Sequence, residues 1–286
     1  MSKNSDKKMR ILIIAKNGML GHEVFSLLKE KGYTVFGTER TNEETNAILL
    51  DLCDNPENII RKIIENKPTV VINCAGILKP IAEQHPQSTI QVNSLAPHIL
   101  AHACDTLGSK LIHITTDCVY DGKNGQYNEQ DVPSPSDFYG RSKLAGEVVK
   151  SPHLNIRTSI IGHEQRLDKY NLLDWFLDTK NTECTGFTDH YWNGLTTVQL
   201  ADFLIFIIEK HFNISGTLHV YGDMFTKYEL LELFKEVYHK EIKIIKGSSS
   251  FFCNRTLASL IFPSLNYGVP PLKQQLYQLK RKNNIL

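Results

Sequence analysis

From Met9 onward, short apolar runs alternate with stretches whose apolar positions recur at helical spacing. RILIIA at 10–15 suits a strand buried on both faces, and 18–31 carries helical spacing closed by Gly32. YTVFGT at 33–38, TVVINCAG at 69–76, KLIHITT at 110–116 and LNIRTSIIG at 154–162 read as further strands. The apolar pair Leu49-Leu50 before Asp51 marks another. Between them, 56–65, 92–107 and the segment carrying Tyr139 and Lys143 read as helices. Pro97 sits near the start of the second of these, and Gly108 follows its end.

Strands alternating with helices predict right-handed parallel crossovers, and so an α/β fold with a Rossmann-like doubly wound parallel sheet. After about residue 162 the regularity fades. The segment 163–194 is polar and aromatic, with Trp175, His190, Tyr191 and Trp192; 195–211 reads as one long helix and TLHVYG at 217–222 as a strand. Helical spacing returns near 226–239 and 270–281. The expected organisation is a polar tail over 1–8, a dinucleotide-binding domain over 9–162, and a smaller C-terminal substrate-binding part over 163–286. Segments near 195–222 of that last part are expected to return to the first domain.

Composition narrows the classes. A net charge of +1 gives no case for a nucleic-acid partner, and no apolar run reaches the length of a membrane span. The N-terminal MSKNSDKKMR lacks an apolar signal core. Six scattered cysteines form no CxxC pair, so they read as small hydrophobes in a cytoplasmic protein without structural disulfides. His98 and His102 lie four apart on a helix with Cys104 nearby, but spacing suggests no third ligand, and no metal site is expected.

Ligands of doubly wound sheets bind beyond the carboxyl ends of the strands. There AKNGMLG at 15–21 is a glycine loop with Ala15 in place of the first glycine. Asn17, Gly18, Met19 and Leu20 would face a dinucleotide, with helix N–H groups on its phosphates. The second strand ends in Glu39-Arg40. A carboxylate there suits a ribose 2′-hydroxyl, whereas Arg40 suits a 2′-phosphate and tilts the expectation to NADP(H), with NAD open. Asp51-Leu52 comes within range of an adenine amino group. Cys74, Ala75 and Gly76 are small enough for backbone to press against the cofactor.

Tyr139 and Lys143 share one helical face, which by itself fits a solvated surface as well as chemistry. A nearby ammonium stabilises a phenolate and is expected to lower the tyrosine pKa. Together with AKNGMLG and NCAG, the stretches TTDCVYDG at 115–122, YGRSK at 139–143 and GTLHVYG at 216–222 resemble the extended short-chain dehydrogenase/reductases. The closer resemblance is to the sugar-nucleotide reductases typified by dTDP-4-dehydrorhamnose reductase. It implies a catalytic trio of Thr116, Tyr139 and Lys143, with Asn93 facing the active site. Asp117, Val119 and Trp192 are the substrate-contact candidates, although Trp192 fits core packing equally.

Relatives that dehydrate nucleotide sugars carry Asp-Glu where this chain has Asp117-Cys118, which argues against dehydration. The resemblance therefore implies an NADPH-dependent ketoreductase of a nucleotide-linked 4-keto-6-deoxy sugar in nucleotide-sugar and polysaccharide biosynthesis, with a homodimer left open. Two alternatives stand: an NADP-binding regulatory module resembling the methionine adenosyltransferase beta subunit, and a sugar-nucleotide epimerase.

Overall fold

Residues 9–41, 47–165, 171–178, 180 and 182–283 are described by a computed structural model of the 286-residue chain. The tail expected over 1–8 lies outside the described residues. Arg10–Ile14 (β1) is followed by Met19–Glu30 (α1), Thr34–Glu39 (β2), Ile48–Leu49 (β3), Pro56–Asn66 (α2) and Val70–Asn73 (β4). Two short turns, Ile81–Gln84 (α3) and Pro86–Thr89 (α4), lead into Ala96–Leu107 (α5), Lys110–Thr116 (β5), Phe138–Ala145 (α6) and Leu154–Thr158 (β6).

The alternation of β1 decides the layering. Ile11 and Ile13 point into one apolar cluster with Leu20, Val24 and Leu28 of α1. Leu12 and Ile14 point into another, with Ile59 and Ile63 of α2 and Leu100 of α5. A strand covered on both faces must be apolar at every position, which is why 10–15 lacks a polar stripe. Hydrophobic burial on both sides thus fixes the sheet as the middle layer.

The remainder comprises Ile160–Ile161 (β7), Leu172–Leu177 (α7), Glu183–Phe187 (β8), His190–Trp192 (β9), Leu195–Thr196 (β10), Thr197–Lys210 (α8) and Gly216–His219 (β11). Phe225–Thr226 (β12), Lys227–Tyr238 (α9), Lys243–Gly247 (β13), Cys253–Asn254 (β14) and Leu272–Lys282 (α10) complete it. The central sheet has seven strands in the order β11-β6-β5-β4-β1-β2-β3, paired in parallel throughout. Strand order reverses between β1 and β4, so a crevice opens at their carboxyl ends. α8 packs beside α1 in the first cluster, while α7, α9 and α10 share a separate core around Phe176, Phe234 and Leu276.

Three elements differ from their sequence patterns for local reasons. The run 154–162 breaks after Thr158. Ser159 instead offers its carbonyl to the Leu195 N–H (2.9 Å), and β7 leaves the sheet to pair with β10. The helix read from Leu195 starts at Thr197, because Thr196 caps it by accepting from the Gln199 N–H (3.3 Å). The helix read over 92–107 begins as a π-helical turn, Ile90–Leu95. Pro97 has no N–H to return to the Asn93 carbonyl, so a regular α-helical ladder cannot pass that point.

Candidate active site

The glycine loop leaves β1 through Ala15, whose φ of +62° lies in the left-handed region. That is a glycine's conformation held by an alanine, at a cost of about 1–2 kcal/mol. The turn is held by the Gly18 N–H donating to the Ala15 carbonyl (3.0 Å) and by the Ala15 N–H donating to Thr38 Oγ1 (3.0 Å). Gly21 is required by proximity, since a β-carbon there would lie 2.1 Å from the Ala15 oxygen. Gly18 caps α1 without a side-chain hydrogen bond, and no acidic residue occupies the first turn. Its N–H groups and positive dipole end are therefore suited to a phosphate. Met19 lies beside Gly162, while Leu20 is buried in the core, so loop backbone is what faces the crevice.

At the end of β2, Glu39 is buried and accepts from Asn17 Nδ2 (3.0 Å), with Lys16 Nζ at 3.6 Å. The Lys16 stem crosses Gly37, where a β-carbon would meet it at 2.2 Å. Arg40 is exposed beyond them. Lys16 thus puts a second cation at the strand end, which motif spacing alone had not marked. Leu52 is buried and Asp51 exposed, the latter accepting from the Cys53 N–H (2.9 Å). β4 ends at Asn73, which takes the Ala75 N–H (3.1 Å) and turns the chain. A β-carbon at Gly76 would lie 3.8 Å from Lys143 Nζ and 3.7 Å from Asn93 Oδ1. The small residues of NCAG thus leave room directly above the lysine. These loops fit a dinucleotide: a bare helix N-terminus, a cationic strand end and a side-chain-free floor.

Asn93 is fully buried. Its Oδ1 accepts from the Ile77 N–H (2.8 Å), and its Nδ2 donates to the Ile77 carbonyl (3.0 Å) and to Ser142 Oγ (3.0 Å). It pins the loop after β4 to the helix carrying the tyrosine. That helix, α6, is capped by Asp137, which accepts from the Gly140 N–H (2.7 Å). Gly140 lets α6 press on the turn after β5, since a β-carbon there would sit 2.2 Å from the Cys118 carbonyl. Tyr139 is thereby brought to the end of β5, where its phenol stands beside Thr116. Thr116 also donates to Asp117 Oδ1 (3.1 Å) and accepts from the Cys118 N–H (3.1 Å).

The expected lowering of the phenol pKa by Lys143 is not what the geometry produces. Burial pushes the Tyr139 phenol well above its usual range, Cys118, Asp117 and Asp137 add to this, and the neighbouring Thr116 hydroxyl opposes it. Lys143 turns its ammonium to the Ile114 carbonyl (2.8 Å). Burial also brings Lys143 down to about 8, against the opposing pull of Glu147 and Cys74. The result is a phenol that keeps its proton, the state from which an acid donates.

Val119 and Trp192 lie away from solvent. Val119 packs with Tyr120, Tyr127 and Leu257, and Trp192 packs in the C-terminal core with its indole N–H donating to Ser159 Oγ (2.9 Å). Asp117 borders the site, and burial raises its pKa. Spacing gave no sign of two cations from the C-terminal part, Lys227 and Arg255, which face Asp117. Arg255 bridges to the Tyr120 carbonyl (2.9 Å) and Ser136 Oγ (3.2 Å). Among the described residues no cluster of three metal-ligating side chains occurs, and no helix is long and apolar enough to cross a membrane.

Comparison with known proteins agrees with this geometry. The chain is 32% identical over 225 residues to a probable low-salt glycan biosynthesis reductase, Agl14, of Haloferax volcanii, covering 74% of each protein. It is 29% identical over 234 residues to methionine adenosyltransferase 2 subunit beta of Bos taurus, covering 77% of this chain and 70% of that one. The fold superposes with a TM-score of 0.82 on dTDP-4-dehydrorhamnose reductase of Bacillus anthracis, solved in complex with NADP. That match covers 96% of this chain and 99% of the other at 22% identity. Residues 9–250 match the family model described as the RmlD substrate binding domain, and the chain belongs to that family of short-chain dehydrogenase/reductase-like proteins.

Proposed function

We propose that this protein is an NADPH-dependent reductase of a nucleotide-linked 4-keto-6-deoxy sugar. The observation that carries the reading is the buried Tyr139 brought beside Thr116 at the end of β5, with Lys143 one helical turn along and the glycine loop beside it. Ketone reduction needs a proton at oxygen as a hydride arrives at carbon. Bound NADPH would supply the hydride. Thr116 and Tyr139 would both hold the carbonyl oxygen, where their hydrogen bonds strengthen as negative charge develops. Tyr139, neutral beforehand, would then transfer its phenolic proton. Lys143 Nζ lies 3.8 Å from where a Gly76 β-carbon would stand and would orient the cofactor's nicotinamide end there while stabilising the transient phenolate. Gly18 and the first N–H groups of α1 would hold the pyrophosphate, and Arg40 and Lys16 a 2′-phosphate.

The test is single-turnover NADPH oxidation with 4-keto sugar nucleotides. Tyr139→Phe keeps the ring and should still bind NADPH, while turnover falls by about a hundred- to ten-thousandfold. Reduction at the wild-type rate by Tyr139→Phe would remove the phenol from the chemistry. The likeness to methionine adenosyltransferase beta subunits supports a second reading, a nucleotide-binding module without turnover. Wild-type protein that binds NADPH yet oxidises none with any 4-keto sugar nucleotide would favour it.

A further inference from the structure

Three cations and two carboxylates meet at the mouth of the site. Lys79, in the loop after β4, forms an ion pair with Asp137. Arg255 Nη2 lies 3.8 Å from the same carboxylate, and its guanidinium also reaches the Tyr120 carbonyl, Ser136 Oγ and, at 3.9 Å, Cys118 Sγ. Burial raises the Asp117 pKa, and the charges of Arg255 and Lys227 oppose that rise. Two carboxylates against three cations leave one positive charge over. Arg255 has its donors occupied, and Lys79 has its carboxylate. Lys227 is half-buried and, among the described residues, makes no hydrogen bond or ion pair. Lys227 is therefore the cation of the three without a close carboxylate, and burial lowers its pKa against the pull of Asp117.

Lys227 is the first residue of the twelve-residue helix α9, whose positive dipole end adds to the charge. The capping box occupies the Thr226 and Glu229 N–H groups, and the Lys227 side chain adds an ammonium to the N–H groups left at this helix end. Thr226 pairs with Tyr191, which pairs in turn with Asn254, so α9 begins two strands from Arg255, whose guanidinium reaches Cys118 on the turn that packs against Gly140 beside Tyr139. In a 4-keto sugar nucleotide, one pyranose ring separates the keto oxygen from the phosphate on C1.

We propose that Lys227 is the anion-binding residue of the cleft, taking the diphosphate of the sugar nucleotide while the keto group lies on Thr116 and Tyr139. This assignment rests on the reading given under Proposed function. Arg255 and Lys79 neutralise Asp117 and Asp137, so that the incoming phosphates meet an ammonium rather than carboxylates.

The experiment titrates NADP-saturated protein with inorganic pyrophosphate, UDP and dTDP by calorimetry, so that the glycine loop is already filled. Loss of one charge-assisted contact in Lys227→Gln should weaken pyrophosphate and at least one nucleoside diphosphate by about ten- to a hundredfold, with NADP affinity unchanged. Lys227→Arg should retain most of the binding. Wild-type protein that ignores pyrophosphate, or Lys227→Gln that binds it as tightly as wild type, overturns the assignment. Lys227-dependent pyrophosphate binding in a protein that reduces no 4-keto sugar nucleotide upholds the anion site while sinking the ketoreductase reading.

Discussion

Glu147 is the side chain whose removal should be felt most widely. Its carboxylate takes Arg157 in a two-pronged grip, Nε to Oε1 at 2.8 Å and Nη2 to Oε2 at 2.7 Å, with both side chains almost wholly buried. Thr115 Oγ1 donates to the same carboxylate (3.2 Å), and Arg157 Nη1 donates to the Tyr120 hydroxyl (2.7 Å). The pair thus ties the segment after α6 to β5 and β6, directly behind Lys143. Glu147→Gln keeps the shape and leaves a buried guanidinium without its counter-charge, which should cost about 3–5 kcal/mol. Native domains hold only about 5–15 kcal/mol, so the loss is a large share of stability. Replacing both members, as Glu147→Leu with Arg157→Met, removes both desolvation costs and should recover most of it. Urea unfolding at constant m-value measures each corner of the cycle. The same carboxylate raises the Lys143 pKa, which stands at about 8 with Glu147 present. In Glu147→Gln the ammonium should lose its proton at lower pH. The fall of activity with rising pH should then move downward. A Glu147→Gln protein within about 1 kcal/mol of wild type, with an unmoved basic limb, refutes both the buried pair and its hold on Lys143.

The remaining predictions concern the cofactor loops. Ala15→Gly relieves a left-handed alanine worth about 1–2 kcal/mol and gives back about 0.4–1 kcal/mol to unfolded-chain freedom. Scanning calorimetry should therefore show an unchanged or slightly raised Tm with cofactor affinity kept, and a marked loss of stability counts against the strained turn. Arg40→Ala should weaken NADPH by about ten- to a hundredfold and NADH much less. Equal effects on the two cofactors in fluorescence titration would take Arg40 off the 2′-phosphate and leave Lys16 as the cation there.

The central sheet was legible because its strands are buried on both faces. Runs such as ILII at 11–14 and KLIHITT at 110–116 have no other soluble use at that length, and the helices between them carry a period of their own. What escaped were the breaks. Ser159 sits inside an apolar run whose propensity continues through it, and only its hydrogen bond to a residue 36 positions later redirects the chain. The π-helical turn at 90–95 depends on how Pro97 and the loop after β4 are packed, which periodicity does not encode. Segments joined by distant partners lose their local signal.

The site divides in the same way. Tyr139, Lys143 and Thr116 stand in short motifs on adjacent elements, so a sequence window holds them. Lys227 and Arg255 lie over a hundred residues beyond Asp117, on elements with no motif of their own, and only the fold of the C-terminal part brings them back. Charge legible as a local cation was also misjudged. Spacing places Lys143 one turn from Tyr139, where it would lower the phenol's pKa, yet its ammonium points to the Ile114 carbonyl and burial raises the phenol instead. An i, i+4 spacing fixes which helical face two residues share, but not whether their polar ends meet. The same site would therefore take its proton donor from a motif and its unpaired cation from tertiary structure. Substrate charge would be recognised by the part of the chain least readable from sequence.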